Sequence, residues 1–507
     1  MNKWLAPALA ALLLASPFAS GAETLDLTLT DAVRRALAKN FLIRLEEFTP
    51  KIARAQQKST AGTFDPTAQV SYTYNYNEQA GITVDGSGNP TDVDLIAITS
   101  GQVVEASLAG LLPLGTRYDL SANLNSNDVS NRSYTSYNSF VGASIIQPLL
   151  RGFGTDVNLG ALRIARANVT ISQWQLRQRV MDVITQTIQV YNDLYFFSRN
   201  LEVERRSRDL ASQLLKDNMK RAEVGVMSPL DVIQAQADLA AREERVLVAE
   251  RQMKDAENAL KQLVTDNVTD VLSIQVAIQP PEANLNFRVD RTRDFSAAFE
   301  LRPDYRQALL DIQKRNINLV FARNQILPRL DLQASLGVNG IDTDLANSLL
   351  GTIGDNSSLA ASVGGVVSIP IPNQYARGQL DVAKLEIARA LVDLKRVEQG
   401  ILVESDNAAG AIETSRKRID ASRAARDYAG KTLEAAQSRL ASGTSTTFEV
   451  LQFQRDFAAA QISEVGALTD YNKAIAEYAR RTGTTFRQYQ ILTPEQSLRK
   501  PEAQPKP

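Results

Sequence analysis

The sequence predicts an α+β membrane protein built from two tandem structural repeats, each combining strands with a pair of long helices. A helix break that starts at a glycine occurs twice, as VGVMSPLDVIQAQADL (224–239) and SGTSTTFEVLQFQRDF (442–457). Segments of alternating polarity precede the long helical patterns in both halves. The chain also starts with an export signal, yet no later apolar run approaches the roughly 20 residues of a membrane helix. Membrane insertion would therefore use strands.

The composition excludes several classes of function. The 507 residues include 56 basic and 57 acidic side chains, so no charge excess favours nucleic acid as a partner. There is no Cys and no His, which excludes thiol nucleophiles, disulfides, Cys/His zinc sites and His general bases. The acid-bearing stretches DFSAAFELRPDYR and DGSGNPTDVD lack catalytic or metal-ligand spacing. We therefore expect no enzyme, catalytic residue, metal or cofactor.

Residues 1–22 have the pattern of a signal peptide. Lys3 supplies the positive charge, LAPALAALLLA supplies an apolar core, and SGA (20–22) supplies small residues before a cleavage site. A retained membrane helix is the alternative, but the apolar run is too short to span. The mature chain is expected to begin at Glu23.

The first repeat (23–270) is predicted to contain two N-terminal helices, the first of them capped at Thr28 or Thr30, and strands at about 66–148. Alternation is strict at 68–77, where three tyrosines share the apolar side, and this favours a lipid-facing strand with a polar lumen behind it. Further strands are predicted at 102–111, 116–125 and 136–146. The hairpin 102–125 could join the same sheet or form a flap, and the sequence leaves both open.

A long helix pair at about 156–264 follows, broken at Gly225. Its first helix has two apolar seams, which predict neighbouring helices on both sides. The seams are Val180, Val183, Thr187, Val190, Leu194, Phe197 and Leu201, and beside them Ile184, Ile188, Tyr191 and Tyr195.

After an inter-repeat segment (271–293), the second repeat (294–484) restarts the plan. It has helices, strands at about 328–370 around a Gly/Asp/Asn/Ser loop (337–358), and a helix pair at about 376–482. The motif LxIARA occurs at 162–167 and again at 385–390, at the start of each helix pair. Residues 485–507 are predicted to be a disordered, Pro- and charge-rich tail.

Each break taken alone is also compatible with an ordinary helix–turn–helix corner, because a Gly ends one helix and a Ser or Thr caps the next. Together with QPLLRGFG, IPIPNQYARGQ and the proline-opened strands, however, the two breaks resemble the TolC-type outer membrane efflux proteins. The resemblance covers nearly the whole mature chain and rests on the arrangement of these motifs.

The resemblance implies a homotrimer whose subunits give strands to one outer-membrane β-barrel, continued by an α-helical coiled-coil barrel in the periplasm. The inter-repeat segment would be equatorial. The two breaks would lie at the periplasmic tip, where a periplasmic adaptor (membrane fusion) protein docks and an inner-membrane transporter delivers the substrate. The residues implied in docking are Gly225, Val226, Ser228, Pro229, Gly443, Thr444, Thr446 and Thr447.

The resemblance also implies a periplasmic gate. An acidic residue follows the Gly by six positions in the family, and Asp231 and Glu449 match it. A further acidic position three residues later is Gln452 here, with Gln234 in the other repeat, so the second acidic ring is missing. The Tyr and Arg that latch the closed tip in the family correspond to Leu440 and Ser445, so the latch is either built from other residues or weaker.

The resemblance therefore implies an exit duct of a tripartite efflux pump or of a type I secretion system. The alternative is an exported coiled-coil structural or adhesive envelope protein, which would explain the helices but not the strands within both halves. Drug, metal and protein cargo all remain open. The absence of His and the presence of only five Met argue against a copper or silver route.

Overall fold

A computed structural model describes residues 24–130, 133–352, 354 and 357–491. The predicted signal peptide and residues 492–507 of the predicted tail lie outside the described residues. The described chain divides into two compact units. The helical unit contains residues 24–44, 179–294 and 404–491, and the sheet unit contains the described residues of 45–178 and 295–403.

Strands and helices are numbered in chain order. The strands of the described residues are β1 (Thr24–Leu27), β2 (Thr67–Val84), β3 (Pro90–Leu111), β4 (Arg117–Val129), β5 (Ser136–Pro148), β6 (Gln275–Ile278), β7 (Arg329–Asp342) and β8 (Ser358–Ser368). The helices of the same residues are α1 (Leu29–Lys39), α2 (Phe41–Glu46), α3 (Phe48–Ala61), α4 (Thr155–Asn158), α5 (Gly160–Glu223), α6 (Pro229–Val264), α7 (Asp270–Ser273), α8 (Arg291–Leu301), α9 (Pro303–Gln325), α10 (Leu345–Gly351), α11 (Gln374–Ala441), α12 (Thr447–Arg481) and α13 (Thr485–Gln488). None of these helices combines the length and apolarity needed to cross a membrane.

The sheet unit is organised around one six-stranded antiparallel sheet in the order β2-β3-β4-β5-β7-β8. The hairpin whose place the sequence left open therefore lies inside the sheet, because β3 pairs with β2 and β4, and β4 pairs with β5. Strands β2 and β8 are the two edges, and no described strand of this chain covers either of them.

The β2–β3 hairpin is longer than the alternation in the sequence predicted. Asp85 organises its turn, since Oδ1 accepts hydrogen bonds from the backbone amides of Ser87 and Asn89, both at 2.9 Å. Strand β3 begins at Pro90, but it pairs with β4 only from Thr99 onward. The acidic residues around this turn hide the period of two, so the alternation found in the sequence ends at 77 and resumes only at 102.

The sheet has one apolar and one polar face, and both continue across the strands. Directly paired residues share a face, so the register joins Tyr72 to Val104, Leu108 to Leu120 and Ala143 to Leu336 on the apolar face. The opposite face carries Ser71 beside Glu105 and Ser335 beside Ser362. Most of the large apolar side chains on the first face are exposed in the single chain. This pattern is typical of a sheet that meets an apolar medium on one side.

The predicted loop at 337–358 is not a loop throughout, and that expectation was wrong. Strand β7 continues to Asp342, and α10 follows. Asp344 caps this helix, because its side chain accepts a hydrogen bond from the amide of Asn347 at 3.0 Å. The flanking Gly, Asp, Asn and Ser residues masked this short helix in the sequence.

In the helical unit, the predicted seams of α5 are confirmed, because most of their residues are buried. These are Val180, Val183, Ile184, Thr187, Ile188, Tyr191, Leu194 and Leu201. Leu201 packs with Val246 and Ala249 of α6, while Leu433 and Ala436 of α11 pack with Val450 of α12. Asn472 of α12 also donates a 3.2 Å hydrogen bond to Asn192 of α5, so α5 has neighbours on both sides.

A two-stranded parallel sheet that the sequence did not predict joins β1 to β6. The buried Tyr191 of α5 holds it, since its hydroxyl contacts the carbonyl oxygens of Leu27 at 2.9 Å and Gln279 at 2.8 Å. Burial raises the pKa of this hydroxyl to about 12. Four-residue strands carry too little pattern to be found from sequence.

The start of the predicted disordered tail was also wrong. Residues 485–491 are ordered, with α13 at Thr485–Gln488 and the side chain of Phe486 buried. Thr482 closes the end of α12, because its hydroxyl donates a 2.8 Å hydrogen bond to the carbonyl of Tyr478. A buried aromatic side chain anchors this segment, whereas the Pro-rich composition that suggested disorder begins later.

Candidate functional site

The first helix break is a glycine-terminated turn followed by a capped helix. Gly225 has φ of 78°, and the amide of Val226 donates a 2.9 Å hydrogen bond to the carbonyl of Arg221. This bond closes the last turn of α5. Ser228 then caps α6, with its hydroxyl accepting a bond from the amide of Leu230 at 3.2 Å, and Pro229 occupies the first turn.

The second break repeats this geometry. Gly443 has φ of 75°, and the amide of Thr444 donates a 2.8 Å hydrogen bond to the carbonyl of Arg439. Thr446 caps α12, since its hydroxyl accepts from the amide of Glu449 at 3.2 Å. The same local sequence pattern therefore produces the same turn twice, because a left-handed residue is needed at each helix end.

The structure brings the two breaks side by side in the helical unit. A guanidinium nitrogen of Arg221 donates to the carbonyl of Leu440 at 3.5 Å, and the amide nitrogen of Asn218 donates to the hydroxyl of Thr447 at 3.4 Å. Leu440 and Leu214 also pack against the apolar cluster beneath the turns. We call the residues 224–230 and 442–449 the helix-end tip.

Glu449 is held by partners inside its own turn. Its Oε2 accepts a 2.6 Å hydrogen bond from the hydroxyl of Ser445, and its Oε1 lies 3.4 Å from a guanidinium nitrogen of Arg439. Both charged side chains are partly exposed, so the ion pair contributes at most about 1 kcal/mol. Ser445 and Arg439 thus hold Glu449 within the second break. Ser445 is one of the two positions at which this chain lacks the family's latch residues, and Arg439 is next to the other, Leu440.

The remaining predicted gate residues differ in their surroundings. Asp231 lies half-buried in the first turn of α6, and it forms no ion pair with any described residue. Gln234 is exposed one turn later. Gln452 is half-buried, and its side-chain amide donates a 3.0 Å hydrogen bond to Asp456.

Most predicted docking residues are exposed at the helix-end tip, but one is not. Gly225, Val226, Ser228, Pro229, Gly443, Thr444 and Thr446 are exposed. Thr447 is buried against Asn218, so its side chain belongs to the packing of the tip and not to its surface. The sequence pattern could not show this, because Thr447 is buried by the other repeat.

Apolar side chains at the helix-end tip were missed as candidates apart from Val226. Val224, Leu230 and Phe448 are also exposed there, with Ile233 on the next turn of α6. Exposed apolar groups clustered on a helix end are typical of a protein–protein contact. Their signal in the sequence was apolar residues at turn positions, where polar residues are usual.

Sequence reasoning also missed a buried charge cluster, which lies further along the helices from the helix-end tip. The side chain of Arg242 in α6 is 0% exposed, and its Nε donates a 2.6 Å hydrogen bond to Asp238. Its Nη1 donates to the hydroxyl of Ser207 in α5 at 2.7 Å, while Arg455 of α12 lies 3.3 Å from Asp238. Burial lowers the pKa of the Arg242 guanidinium, although the Asp238 carboxylate acts in the opposite direction. The cluster therefore connects three helices, because Arg242 reaches α5 and Asp238 reaches α12.

No group of three or more Asp, Glu, His or Cys side chains in the described residues could hold a metal ion. The chemistry at the helix-end tip is that of carboxylates, amides and apolar side chains. This arrangement suits docking and ion contact.

The comparisons with known proteins define the class. A sequence model of the family described as outer membrane efflux protein matches residues 102–265 and 295–484, more than half of the chain. The chain belongs to this family. It is an outer membrane exit channel that extends into the periplasm, and the family consists of channels.

Individual relatives have low sequence identity to this chain, but they match most of its length. The outer membrane efflux protein BepC of Brucella suis is 24% identical over 349 residues, covering 68% of this chain and 71% of BepC. The crystal structure of the Campylobacter jejuni CmeC outer membrane channel is similar with a TM-score of 0.68 at 18% identity, covering 90% of this chain and 86% of CmeC. The Vibrio cholerae outer membrane protein VceC is similar with a TM-score of 0.65 at 15% identity, covering 90% of this chain and 96% of VceC.

Proposed function

We propose that three copies of the chain assemble into one channel, in which each copy contributes six strands to a shared β-barrel and its long helices to a periplasmic tunnel. The observation that carries this proposal is the open sheet. Its edges β2 and β8 have no partner strand among the described residues of one chain, and an unpaired edge inside a membrane leaves backbone polar groups unsatisfied. Pairing β2 of one copy with β8 of the next removes both edges.

In this assembly the apolar face meets lipid and the polar face lines the lumen. Three sheets of six strands form an eighteen-stranded barrel, which leaves an aqueous passage inside. The strands β3 and β4 then widen the barrel compared with a four-stranded contribution. The repeats of the sequence would place two helix-end turns per copy around the same axis.

The helix-end tip is the proposed periplasmic entrance and adaptor-docking site. Six exposed turns would surround the pore in the trimer, each presenting apolar groups such as Val226 or Phe448 next to capped helix ends. A periplasmic adaptor protein would dock there and connect the channel to an inner-membrane transporter. The duct would serve a tripartite efflux pump or a type I secretion system.

Asp231 and Glu449 are the proposed charged groups of the entrance, with Gln234 and Gln452 one turn further. Threefold symmetry turns each carboxylate into a ring, and a ring of like charges in a narrow passage attracts cations. The pairing of Glu449 with Arg439 holds part of this charge within the turn, whereas Asp231 has no such ion pair with a described residue.

Cysteine cross-linking tests the trimeric barrel, because the natural chain has no Cys. Pairs of Cys would be placed on the apolar faces of the edges, at Val70, Tyr72 or Tyr74 in β2 and at Leu359, Ala361 or Val363 in β8. We expect one register to give cross-linked dimers and trimers in SDS gels after oxidation.

The matched control replaces Ser71 or Thr73 instead, which point to the other face of β2 and so should not cross-link with the same β8 positions. Failure of every register, or equal cross-linking from both faces, would overturn the proposed edge pairing.

A further inference from the structure

The short helix α10 packs on the sheet with its polar side inward. Ser348 and Thr352 are 0% and 5% exposed, whereas Leu345, Leu349 and Leu350 are 42%, 46% and 67% exposed. A helix on a protein surface in water normally turns its apolar side toward the protein. The orientation of α10 is the reverse.

Hydrogen bonds fix this orientation. The hydroxyl of Ser139 in β5 donates to the carbonyl of Ser348 at 2.7 Å and lies 2.8 Å from the hydroxyl of Thr352. The hydroxyl of Ser348 lies 3.1 Å from the carbonyl of Tyr137. A Cβ at Gly340 of β7 would approach the carbonyl oxygen of Ser348 to 2.3 Å, so only glycine allows this close contact. The helix is held by small and polar groups, and no leucine is needed to hold it.

The face of the sheet that α10 covers is the apolar one. Ser139 lies on the same face of β5 as Val141 and Ala143, because every second residue of a strand points the same way. Its direct partner in β7 is Gly340, which shares its face with Val338 and Leu336. The stretch from Leu330 to Val338 has the nine-residue length of a tilted membrane strand. The helix therefore lies on the lipid-facing side proposed above, just beyond the apolar stretch of β7.

The position along the strands gives the side of the membrane. The sheet connects to helices at one end, where Pro148 pairs with Asp331 and Arg329 with Ser368. At this end β2 and β7 follow the helical segments that contain α3 and α9, while β5 and β8 lead to the long helices α5 and α11. The helix α10 joins β7 and β8 at the opposite end. Because this channel lies in the outer membrane and its helices extend into the periplasm, α10 lies at the outer leaflet.

We propose that α10 is an interfacial lipid-binding element whose three leucines insert among the acyl chains of the outer leaflet. This inference rests on the proposed function, because it requires the apolar face to meet lipid. The leucines continue the apolar face of the sheet at its outer-leaflet end, so they would contact the same lipid. A second copy of the chain is less suited as the occupant, because β8 lies between β7 and the free edge where the next copy pairs.

The test uses single Cys variants labelled with the environment-sensitive fluorophore NBD, in purified protein reconstituted in phosphatidylcholine vesicles. Quenching by doxyl-labelled phosphatidylcholine reports lipid contact, and quenching by iodide reports water. The probe replaces Leu350, and its matched control replaces Asn347, a polar residue of the same helix that is also exposed. The sheet controls are Leu336→Cys on the apolar face and Ser335→Cys on the polar face.

We expect the probe at Leu350 to be quenched by doxyl lipid as strongly as the probe at Leu336, and several-fold more than the probes at Asn347 and Ser335. Iodide should give the opposite order. Lipid quenching at Leu336 with water exposure at Leu350 would overturn the inference and leave the proposed barrel intact. No quenching of Leu350 by either reagent would show a protein cover and would also overturn it. Water exposure at Leu336 would contradict the proposed function itself.

A second variant tests the packing that orients α10. Gly340→Val should displace the helix, and we expect the lipid quenching at Leu350 to fall in that background. The control is Gly364→Val in β8, where a Cβ meets no atom within 4 Å, and it should leave the quenching unchanged. Unchanged quenching in Gly340→Val would contradict the assigned contact.

Discussion

Asp238 accepts a 2.6 Å hydrogen bond from Nε of Arg242, whose side chain is completely buried between helices. Arg455 approaches the same carboxylate from α12. The removal of one partner from a buried ion pair leaves an uncompensated charge, which is far costlier than the loss of a surface pair. The cluster therefore gives a sharp test of how α5, α6 and α12 are held together.

We expect Asp238→Asn to lower the free energy of unfolding by about 3–5 kcal/mol, because Arg242 stays buried without its counter-charge. The control is Asp456→Asn, which changes the equivalent residue of the second repeat. Asp456 is exposed and accepts one hydrogen bond from Gln452, so its change should stay within about 0.5 kcal/mol. Thermal melting followed by circular dichroism in detergent measures both, and equal melting temperatures would contradict the role of the cluster.

The stability of the fold is expected to depend on pH through Glu257, which is buried in α6. Burial favours its neutral form, but hydrogen bonds from Lys254, Lys261 and the amide of Val276 outweigh this and lower its pKa from the ordinary value of 4.5. A carboxylate with a lowered folded-state pKa contributes stability above about pH 4.5, and this contribution is lost as the pH falls through the folded-state pKa.

We expect Glu257→Gln to be less stable than the parent at pH 7 by about 3–5 kcal/mol, since Lys261 stays buried without its partner. The difference should shrink as the pH falls well below 4.5. Melting curves of parent and variant across this range measure it, with Glu243→Gln on the exposed side of the same helix as control. A difference that is constant with pH would count against the assignment.

The proposed gate is tested by recordings of single channels in planar bilayers. Asp231→Asn should reduce cation selectivity and block by multivalent cations, because it removes a ring of carboxylates. Glu449→Gln should have a smaller effect, since Arg439 already neutralises part of its charge.

The positive control for the gate is Gln452→Glu, which adds a carboxylate one turn further and should raise cation selectivity. If the double variant of Asp231 and Glu449 has unaltered selectivity, the proposed gate is wrong. Both residues then only stabilise the N-terminal turns of their helices.

The glycine that ends α11 is tested against a glycine in the middle of the same helix. Gly443 has φ of 75°, so Gly443→Ala should destabilise the helix end by about 1–2 kcal/mol. Gly410 lies inside the helix with open space for a Cβ, so Gly410→Ala should stabilise it by roughly 0.5–1 kcal/mol. Hydrogen exchange of the Thr444 amide reads out the helix end, and similar effects of both changes would refute the left-handed turn as the cause.

Several features followed from the sequence because they depend on local periodicity. The seams of α5, the alternating strands and the two glycine breaks each repeat at a fixed spacing, and that spacing alone determines which side chains share a face. The membership of the outer membrane efflux family was predicted from the same patterns, and the family match confirms it.

Other features were decided only by the tertiary structure, because they join residues far apart in sequence. The pairing of β1 with β6, the contact of Arg455 with Asp238 and the burial of Thr447 by Asn218 each link segments separated by hundreds of residues. The orientation of α10 is the clearest case. The sequence predicted a loop there, and the position of Ser139 and the absence of a Cβ at Gly340 decide that the hydroxyl side of the helix, and not its leucines, packs against the sheet.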